Sequence, residues 1–300
     1  MEEKNIAGVV VVSMNMRVYT DFCIDSINKS PDRKKCHVVL VDNNSLPRSK
    51  EAYQTMEDKG LVDKVVFLKS NKGYAAACNE GIRHIPETYS HIAFVHNDVI
   101  VTPNWATKMK NHFLKDDIDE MAVIVPLTNY ANESSSRIEK LYNKFIGKSE
   151  RDEELVPIKI PNKTIKPLKN DLEKCLQLLY PEGLLEEAGK ITKEMCEVVT
   201  HFYMSEISSY CMMFDRNIFN DPEIGYFDEE FWPRGWEDKY IFCKMQQKGY
   251  ECWIAFDTFV HHFGNVTTDG PGFLFPDIMK TNEKLFKEKY MALEKSKEKK

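Results

Sequence analysis

The first 130 residues alternate short, continuously apolar runs with stretches of helical spacing. Residues 7–13 read A-G-V-V-V-V-S, 37–42 H-V-V-L-V-D, 65–68 V-V-F-L, 91–96 H-I-A-F-V-H and 121–126 M-A-V-I-V-P. Runs of this length, rich in β-branched residues and lacking apolar–polar alternation, predict strands buried on both faces. Residues 21–28, 74–83 and 105–114 between them carry the spacing of amphipathic helices. The alternation predicts an α/β fold, a mostly parallel central sheet flanked by helices. Open sheets of this kind bind ligands beyond the carboxyl ends of their strands, so polar residues at those ends are the candidates for function.

The pattern breaks between residues 129 and about 200. That stretch opens N-Y-A-N-E-S-S-S-R, passes the proline-punctuated I-K-I-P-N-K-T-I-K-P at 158–167, and ends in charged helical segments. It reads as a largely helical insertion over the crevice (130–207), not an independent domain. Strands are predicted again at 208–214 (S-S-Y-C-M-M-F) and 252–256, and an amphipathic C-terminal helix over 276–293 carries Ile278, Leu285, Phe286 and Met291 on one side.

Composition narrows the class of protein. A formal charge of -6 gives no general attraction to nucleic acid or anionic lipid. The locally basic end, L-E-K-S-K-E-K-K, is that of a solvated helix terminus. Eight cysteines at scattered spacings, with no C-x-x-C pair, point to buried thiols in a reducing compartment. An acidic N-terminus and the absence of an apolar run near ~18 residues predict no signal peptide and no transmembrane segment. The expected location is cytoplasmic, with peripheral association to a membrane left open.

The candidate chemistry lies in five places. Residues 227–249 read F-D-E-E-F-W-P-R-G-W-E-D-K-Y-I-F-C-K-M-Q-Q-K-G, an acidic and aromatic loop that runs into a helix at Glu237 and Asp238. A helix start holds carboxylates rigidly, because the unpaired amides and the dipole both stabilise negative charge. The four other clusters follow predicted strands: Ser13 and Asn15; Asp42, Asn43, Asn44 and Ser45; Asn71, Lys72, Gly73 and Tyr74, opening a helix that contains Asn79; and His96, Asn97 and Asp98. Gly73 permits close backbone approach, and the helix start beside it offers amides to a phosphate.

Five segments, in order, resemble the inverting family 2 glycosyltransferases with the GT-A fold. V-V-L-V-D-N-N-S (38–45) is similar to that family's second-strand motif, and S-N-K-G-Y-A-A-A-C-N-E-G-I (70–82) to its N-x-G-[FY]-[AS]-x-x-x-N signature. F-V-H-N-D-V-I-V (94–101) resembles the D-x-D or L-N-x-D strand end. I-G-Y-F-D-E-E-F-W-P-R-G-W-E-D (224–238) resembles G-x-F-D-E-x-F followed by E-D, and V-H-H-F-G-N-V-T (260–267) the late H-x-G-x-x-T. The resemblance spans 6–130 and 208–268. It implies a single GT-A domain over 1–300: a nucleotide-sugar-binding half (1–129), the variable insertion, an acceptor-binding and catalytic part (208–270), and a C-terminal helix with a basic tail (271–300).

The function it implies is transfer of a sugar, with inversion, from a nucleotide-diphosphate sugar to a hydroxyl of a saccharide, lipid-linked or protein acceptor. The donor would meet Ser13, Asn15, Asp42, Asn44, Asn71, Lys72, Gly73, Asn79, Asn97 and Asp98. The aspartate at 42 would touch base or ribose. A divalent ion, Mn2+ or Mg2+, would ease departure of the diphosphate as a Lewis acid. Asp98 would be one ligand and His262 a second, with His261 the spare; His96 stands where the first aspartate of D-x-D would be, which could weaken binding. Asp238 would be the general base, and Glu237 would orient the acceptor or hold the loop. Trp232 and Trp236, with Tyr226, would line the acceptor pocket, because sugars stack their C–H faces on aromatics. Two alternatives stand beside this reading. One is a catalytically silent nucleotide-sugar-binding module, suggested by His96. The other is a sugar-1-phosphate nucleotidylyltransferase, disfavoured because S-M-N-M-R-V-Y after the first strand has no glycine.

Overall fold

The structure, a computed structural model, describes residues 5–114, 121–128, 209–263 and 275–297. The expected insertion (130–207), Gly264 and Thr267 of the late histidine motif, and the last three residues of the basic tail lie outside the described residues.

Among the described residues eight strands form one sheet in the order β3-β2-β1-β4-β7-β6-β8-β5. They are β1 (Ala7–Ser13), β2 (Cys36–Asp42), β3 (Lys64–Phe67), β4 (His91–His96), β5 (Val99–Val101), β6 (Met121–Thr128), β7 (Cys211–Asp215) and β8 (Glu251–His262). Parallel pairing joins β1 to β2 and β4, β2 to β3, and β6 to β8. The sheet is mostly parallel, but β7 runs antiparallel to both β4 and β6, and β5 antiparallel to β8.

The helices are α1 (Arg17–Lys29), α2 (Pro47–Asp58), α3 (Tyr74–Arg83), α4 (Trp105–His112), α5 (Asn217–Asn220), α6 (Glu237–Gln247) and α7 (Phe275–Lys297). They cover both faces of the sheet, which is why the strands read as unbroken apolar runs. Val9 and Val11 pack with Cys23, Ile24, Ile27, Tyr53 and Trp105 on one face. Val10, one residue out of phase, packs with Ala77, Cys78, Phe94, Phe214 and Phe242 on the other. Helix α3 lies so close to β1 that a Cβ on Gly81 would sit 2.3 Å from Val10 Cγ1. Among the described residues no helix is long and apolar enough to cross a membrane.

Several elements differ from the expectation, the short α5 among them. Helix α2 was not predicted: it opens with Pro47 at its first turn and buries only Ser49, Tyr53 and Met56, so its apolar stripe is too sparse to register. Strand β5 is only three residues long. The late strand, expected to end at 256, continues to His262, and its last three residues pair with β5. That extension builds one side of the site.

Candidate active site

The register of the sheet lines up its functional edge. Ser13 pairs with Asp42 and Val12 with His96, so the carboxyl ends of β1, β2 and β4 lie side by side. Several polar residues there are spent on holding the edge together. Ser13 Oγ lies 2.7 Å from Thr20 Oγ1 and 2.8 Å from Tyr53 Oη, and Asn97 Nδ2 donates to the same two oxygens of Ser13 and Thr20. Asp42 is fully buried, its carboxylate accepts the Ser45 N–H, and burial raises its pKa. The three residues expected to meet the donor through Ser13, Asp42 and Asn97 therefore sit inside this hydrogen-bonded layer.

The turn before α3 is tied in the same way. Asn43 accepts the Lys72 N–H and donates to Asn71 Oδ1, and Asn71 Oδ1 accepts the Gly73 N–H. The Tyr74 N–H donates to the Pro233 carbonyl at 2.7 Å. The amides of Lys72, Gly73 and Tyr74 are thus engaged by protein acceptors. Gly73 has φ 87°, and a Cβ there would meet Trp232 Cδ1 at 2.9 Å and Pro233 O at 3.0 Å, so glycine is required by loop packing. Asn79 is also internal: it donates to the Phe227 carbonyl and Glu229 Oε1 and accepts the Phe227 N–H. Asn15 and Asn44, both with positive φ, and Lys72 remain exposed along the rim.

Beyond the end of β4 three side chains converge. His96, Asp98 and His262 each present one ligand atom, and these atoms lie within 4.8 Å of one another. His262 Nε2 is 3.4 Å and His96 Nδ1 3.9 Å from Asp98 Oδ1. Antiparallel pairing of Val99 with His262 delivers that histidine, and the Phe263 N–H bonded to the Asp98 carbonyl at 3.0 Å fixes the turn. Burial holds His96 neutral by lowering its pKa to about 3. Burial acts to raise the Asp98 pKa, but the adjoining His262 and His96 outweigh it and bring the carboxyl down to about 2. At neutral pH the cluster therefore offers a carboxylate and a neutral His96 imidazole, a donor set that fits a divalent first-row cation. His261 is buried beside it with its ring edge-on to Phe263, 4.6 Å between centroids.

Glu237 and Asp238 open α6, as the sequence predicts. Glu237 is buried, and its Oε2 has no hydrogen-bond partner among the described residues. Burial, then the charge of Asp238, raises its pKa to about 8. Asp238 is half-buried, and burial raises its pKa too, against hydrogen bonds from the Lys239 N–H at 2.8 Å and the Ser209 hydroxyl. Two adjacent acids, one buried and one half-buried, do not both ionise cheaply, and burial favours the protonated form of Glu237.

Sequence reasoning assigned no role to Arg234, although it stands three residues before the acidic pair. Its guanidinium acts electrostatically on Glu237, Asp98, Tyr74 and Asp238, which puts one cation within reach of both halves of the site. Asn282 was also missed: its buried Nδ2 donates to the carbonyls of Trp232, Arg234 and Gly235, clamping the loop from α7. The signal was faint, one asparagine within the amphipathic pattern of the C-terminal helix. The two tryptophans part company. Trp232 is 54 % exposed, whereas Trp236 lies against Phe286 at 4.9 Å with the Lys239 ammonium 4.3 Å from its ring. The second is a packing contact to α7; Tyr226 is 39 % exposed, 5.5 Å from the Arg83 guanidinium.

The sequence model of glycosyl transferase family 2 matches residues 8–175, more than half of the chain. No curated protein sequence gives a significant match. Similar solved structures include mannosyltransferase PcManGT from Pyrobaculum calidifontis in complex with GDP-Man and Mn2+, 15 % identical with a TM-score of 0.52 over 87 % of this chain and 57 % of that one. GalNAc-T7 with UDP, GalNAc and Mn2+ is 16 % identical, TM-score 0.55, over 87 % and 44 %. Residues 1–349 of TarS from S. aureus are 14 % identical, TM-score 0.51, over 85 % and 59 %. At these identities the likeness is one of fold, and the chain spans roughly half the length of the structures it matches.

Proposed function

The chain belongs to glycosyl transferase family 2, and from that premise we propose that it transfers a sugar from a nucleotide-diphosphate sugar to an acceptor hydroxyl with inversion. The observation that carries this reading is the cluster of His96, Asp98 and His262 at the sheet edge, sharing one cation, Arg234, with the Glu237–Asp238 pair. The nucleotide sugars and Mn2+ in the structures of PcManGT and GalNAc-T7 support it.

Asp98 and His262 would hold the divalent ion, Mn2+ or Mg2+. When bound, such an ion supplies Lewis-acid stabilisation of the departing diphosphate. Arg234 adds a fixed positive charge toward the same phosphates, in a partly desolvated setting where it counts for more than in water. Asp238 accepts the proton of the acceptor hydroxyl as that oxygen bonds to the anomeric carbon and the bond to the diphosphate breaks. Attack from the face opposite the leaving group inverts the centre. Glu237, protonated at neutral pH, leaves a single negative charge beside the acceptor. Trp232 offers an exposed ring to a sugar face, and Asn15, Asn44 and Lys72 form the open rim for the nucleotide.

The whole of 1–300 is read as one GT-A domain, with 130–207 setting the choice among saccharide, lipid-linked and protein acceptors. The six described cysteines are free thiols, which supports a cytoplasmic setting. The silent-module alternative rested on a histidine replacing an acid; with the His96 nitrogen beside Asp98, that replacement no longer argues against metal binding.

The test is thermal-shift screening of UDP-, GDP- and dTDP-sugars with and without Mn2+, followed by product analysis on the best binder. A native-state ligand raises the melting temperature with its concentration over Kd. The expected result is one nucleotide class stabilising the protein strongly only when Mn2+ is present, and slow donor hydrolysis in the same mixture. No stabilisation by any of the three would overturn the reading.

A further inference from the structure

We propose that Ser209 decides which of the two adjacent acids acts as base: its hydroxyl holds the negative charge on Asp238 and so leaves the shared proton on Glu237. The inference rests on the glycosyl-transfer reading above and adds a positioning residue to it.

Ser209 is fixed from outside the helix that carries the acids. It is 8 % exposed and stands two residues before β7, in the turn by which the chain enters the sheet. Its neighbour Tyr210 anchors that turn. The Tyr210 carbonyl accepts the His96 N–H at 2.9 Å, continuing the antiparallel pairing of Val95 with Cys211. The Tyr210 hydroxyl donates to the Pro126 carbonyl of β6, and its ring stacks on His262 of β8 with 5.5 Å between centroids. From this turn, tied to three strands, the Ser209 hydroxyl donates to the Asp238 carboxylate. A group held on a rigid element positions its partner better than one on a free loop.

Most of the other groups around the pair do not discriminate between its members. Backbone amides serve both acids, those of Gly235 and Glu237 on Glu237 and those of Asp238 and Lys239 on Asp238. The Arg234 guanidinium acts on both. Tyr74 of α3 lies in the field of both, and burial keeps its phenol neutral. The Lys239 ammonium, over the Trp236 ring at 4.3 Å, also favours charge on Asp238.

The side-chain oxygens differ. Asp238 has the Ser209 hydroxyl, whereas Glu237 Oε2 is buried with no hydrogen-bond partner among the described residues. A hydroxyl bonded to a carboxylate stabilises the charged form. An unpartnered buried oxygen is tolerable on a neutral carboxyl and costly on an anion. The pair thus carries one proton and one charge, and Ser209 places the charge on the half-buried member that an acceptor hydroxyl can reach. Together with the Lys239 N–H, 2.8 Å from Asp238 Oδ1, it also restrains rotation of the carboxylate, as a general base requires.

The experiment is steady-state hydrolysis by the full chain, with Mn2+, of whichever UDP-, GDP- or dTDP-sugar stabilises the wild type. Water then serves as the acceptor, and nucleoside diphosphate release is followed between about pH 5 and 8.5. Ser209→Ala should lower kcat by roughly tenfold or more near pH 7. The deficit should shrink as pH rises, because without the hydroxyl Asp238 holds its proton to higher pH. Donor affinity by thermal shift should be unchanged, and Ser209→Thr should restore most of the rate. Asp238→Asn with Ser209→Ala should be no slower than Asp238→Asn alone. Ser209→Cys, nearly isosteric but a poor donor, should repeat the shift and serves if the alanine variant does not fold. A loss of kcat equal at every pH, or no loss, overturns the inference and leaves the transferase reading standing. A wild type that turns over none of the three donors overturns both.

Discussion

Asn79 and Phe227, 148 residues apart, bond to each other in both directions. The Asn79 Nδ2 donates to the Phe227 carbonyl at 2.9 Å, and the Phe227 N–H donates to Asn79 Oδ1 at 3.0 Å. A side chain that sequence reasoning assigned to the donor thus fastens α3 to the loop that leads to the acidic pair. Asn79→Ala would leave both backbone groups of Phe227 buried and unpaired. The expected loss of stability is about 2–4 kcal/mol, measured by urea denaturation. A variant with unchanged stability but weakened nucleotide binding would instead support the donor-contact role.

Asp238→Asn should lower turnover by about 10²–10⁴-fold, the usual worth of a positioned base. Donor binding, followed by thermal shift, should survive, because the substitution preserves size and the helix start. Retained turnover would remove Asp238 from the base role.

The pH dependence of stability should report Glu237. Its pKa in the folded protein is raised from 4.5 to about 8, by burial and by Asp238. Folded protein therefore holds a proton that the unfolded chain has released between those values. The stability linked to this group is complete below pH 4.5, declines as pH rises, and levels above 8. Glu237→Gln has no such proton to lose, so its melting temperature should gain on the wild type steadily from pH 5 to 8.5. A difference that stays flat across that range would contradict the assignment.

Arg234→Ala should raise the donor KM and cut kcat, lowering kcat/KM by about 10–100-fold overall, since a charge-assisted contact to phosphate is worth roughly 1.5–3 kcal/mol. Arg234→Lys should recover only part of the loss, because an ammonium lacks the planar fork. Steady-state kinetics of the two variants separates a phosphate-binding cation from one that merely balances Glu237.

Asn282→Ala removes the donor that clamps the carbonyls of residues 232, 234 and 235. A stability loss of about 1–2 kcal/mol is expected. Because those carbonyls belong to the segment that sets the acidic pair, kcat should fall by more than donor affinity does. Equal falls in both would reduce Asn282 to an ordinary packing residue.

The strands of the sheet were legible because burial on both faces leaves an apolar run that no neighbouring element can imitate. Helix α2 was not, since a mostly solvated helix needs only three buried side chains to stay in place. Strand β5 and the end of β8 escaped for another reason. D-T-F-V-H-H at 257–262 ends in two polar residues, and pairing with Leu127–Thr128 of β6 and Val99–Val101 of β5 makes it a strand.

By itself the sequence determined most strands of the sheet, the polar clusters at their carboxyl ends, and the acidic pair at the start of α6, because periodicity and helix-start chemistry are local. It could not tell which polar side chains open onto the crevice and which close the layer beneath it. Ser13, Asp42, Asn79 and Asn97 look alike in the chain to Asn15, Asn44 and Lys72. Burial separates the first group, closed into the hydrogen-bonded layer, from the second, exposed at the rim. The same holds for the two tryptophans, one exposed and one laid against α7. The meeting of His96 and Asp98 with His262 was likewise decided only by folding, because antiparallel pairing of β5 with β8 brings together residues more than 160 positions apart.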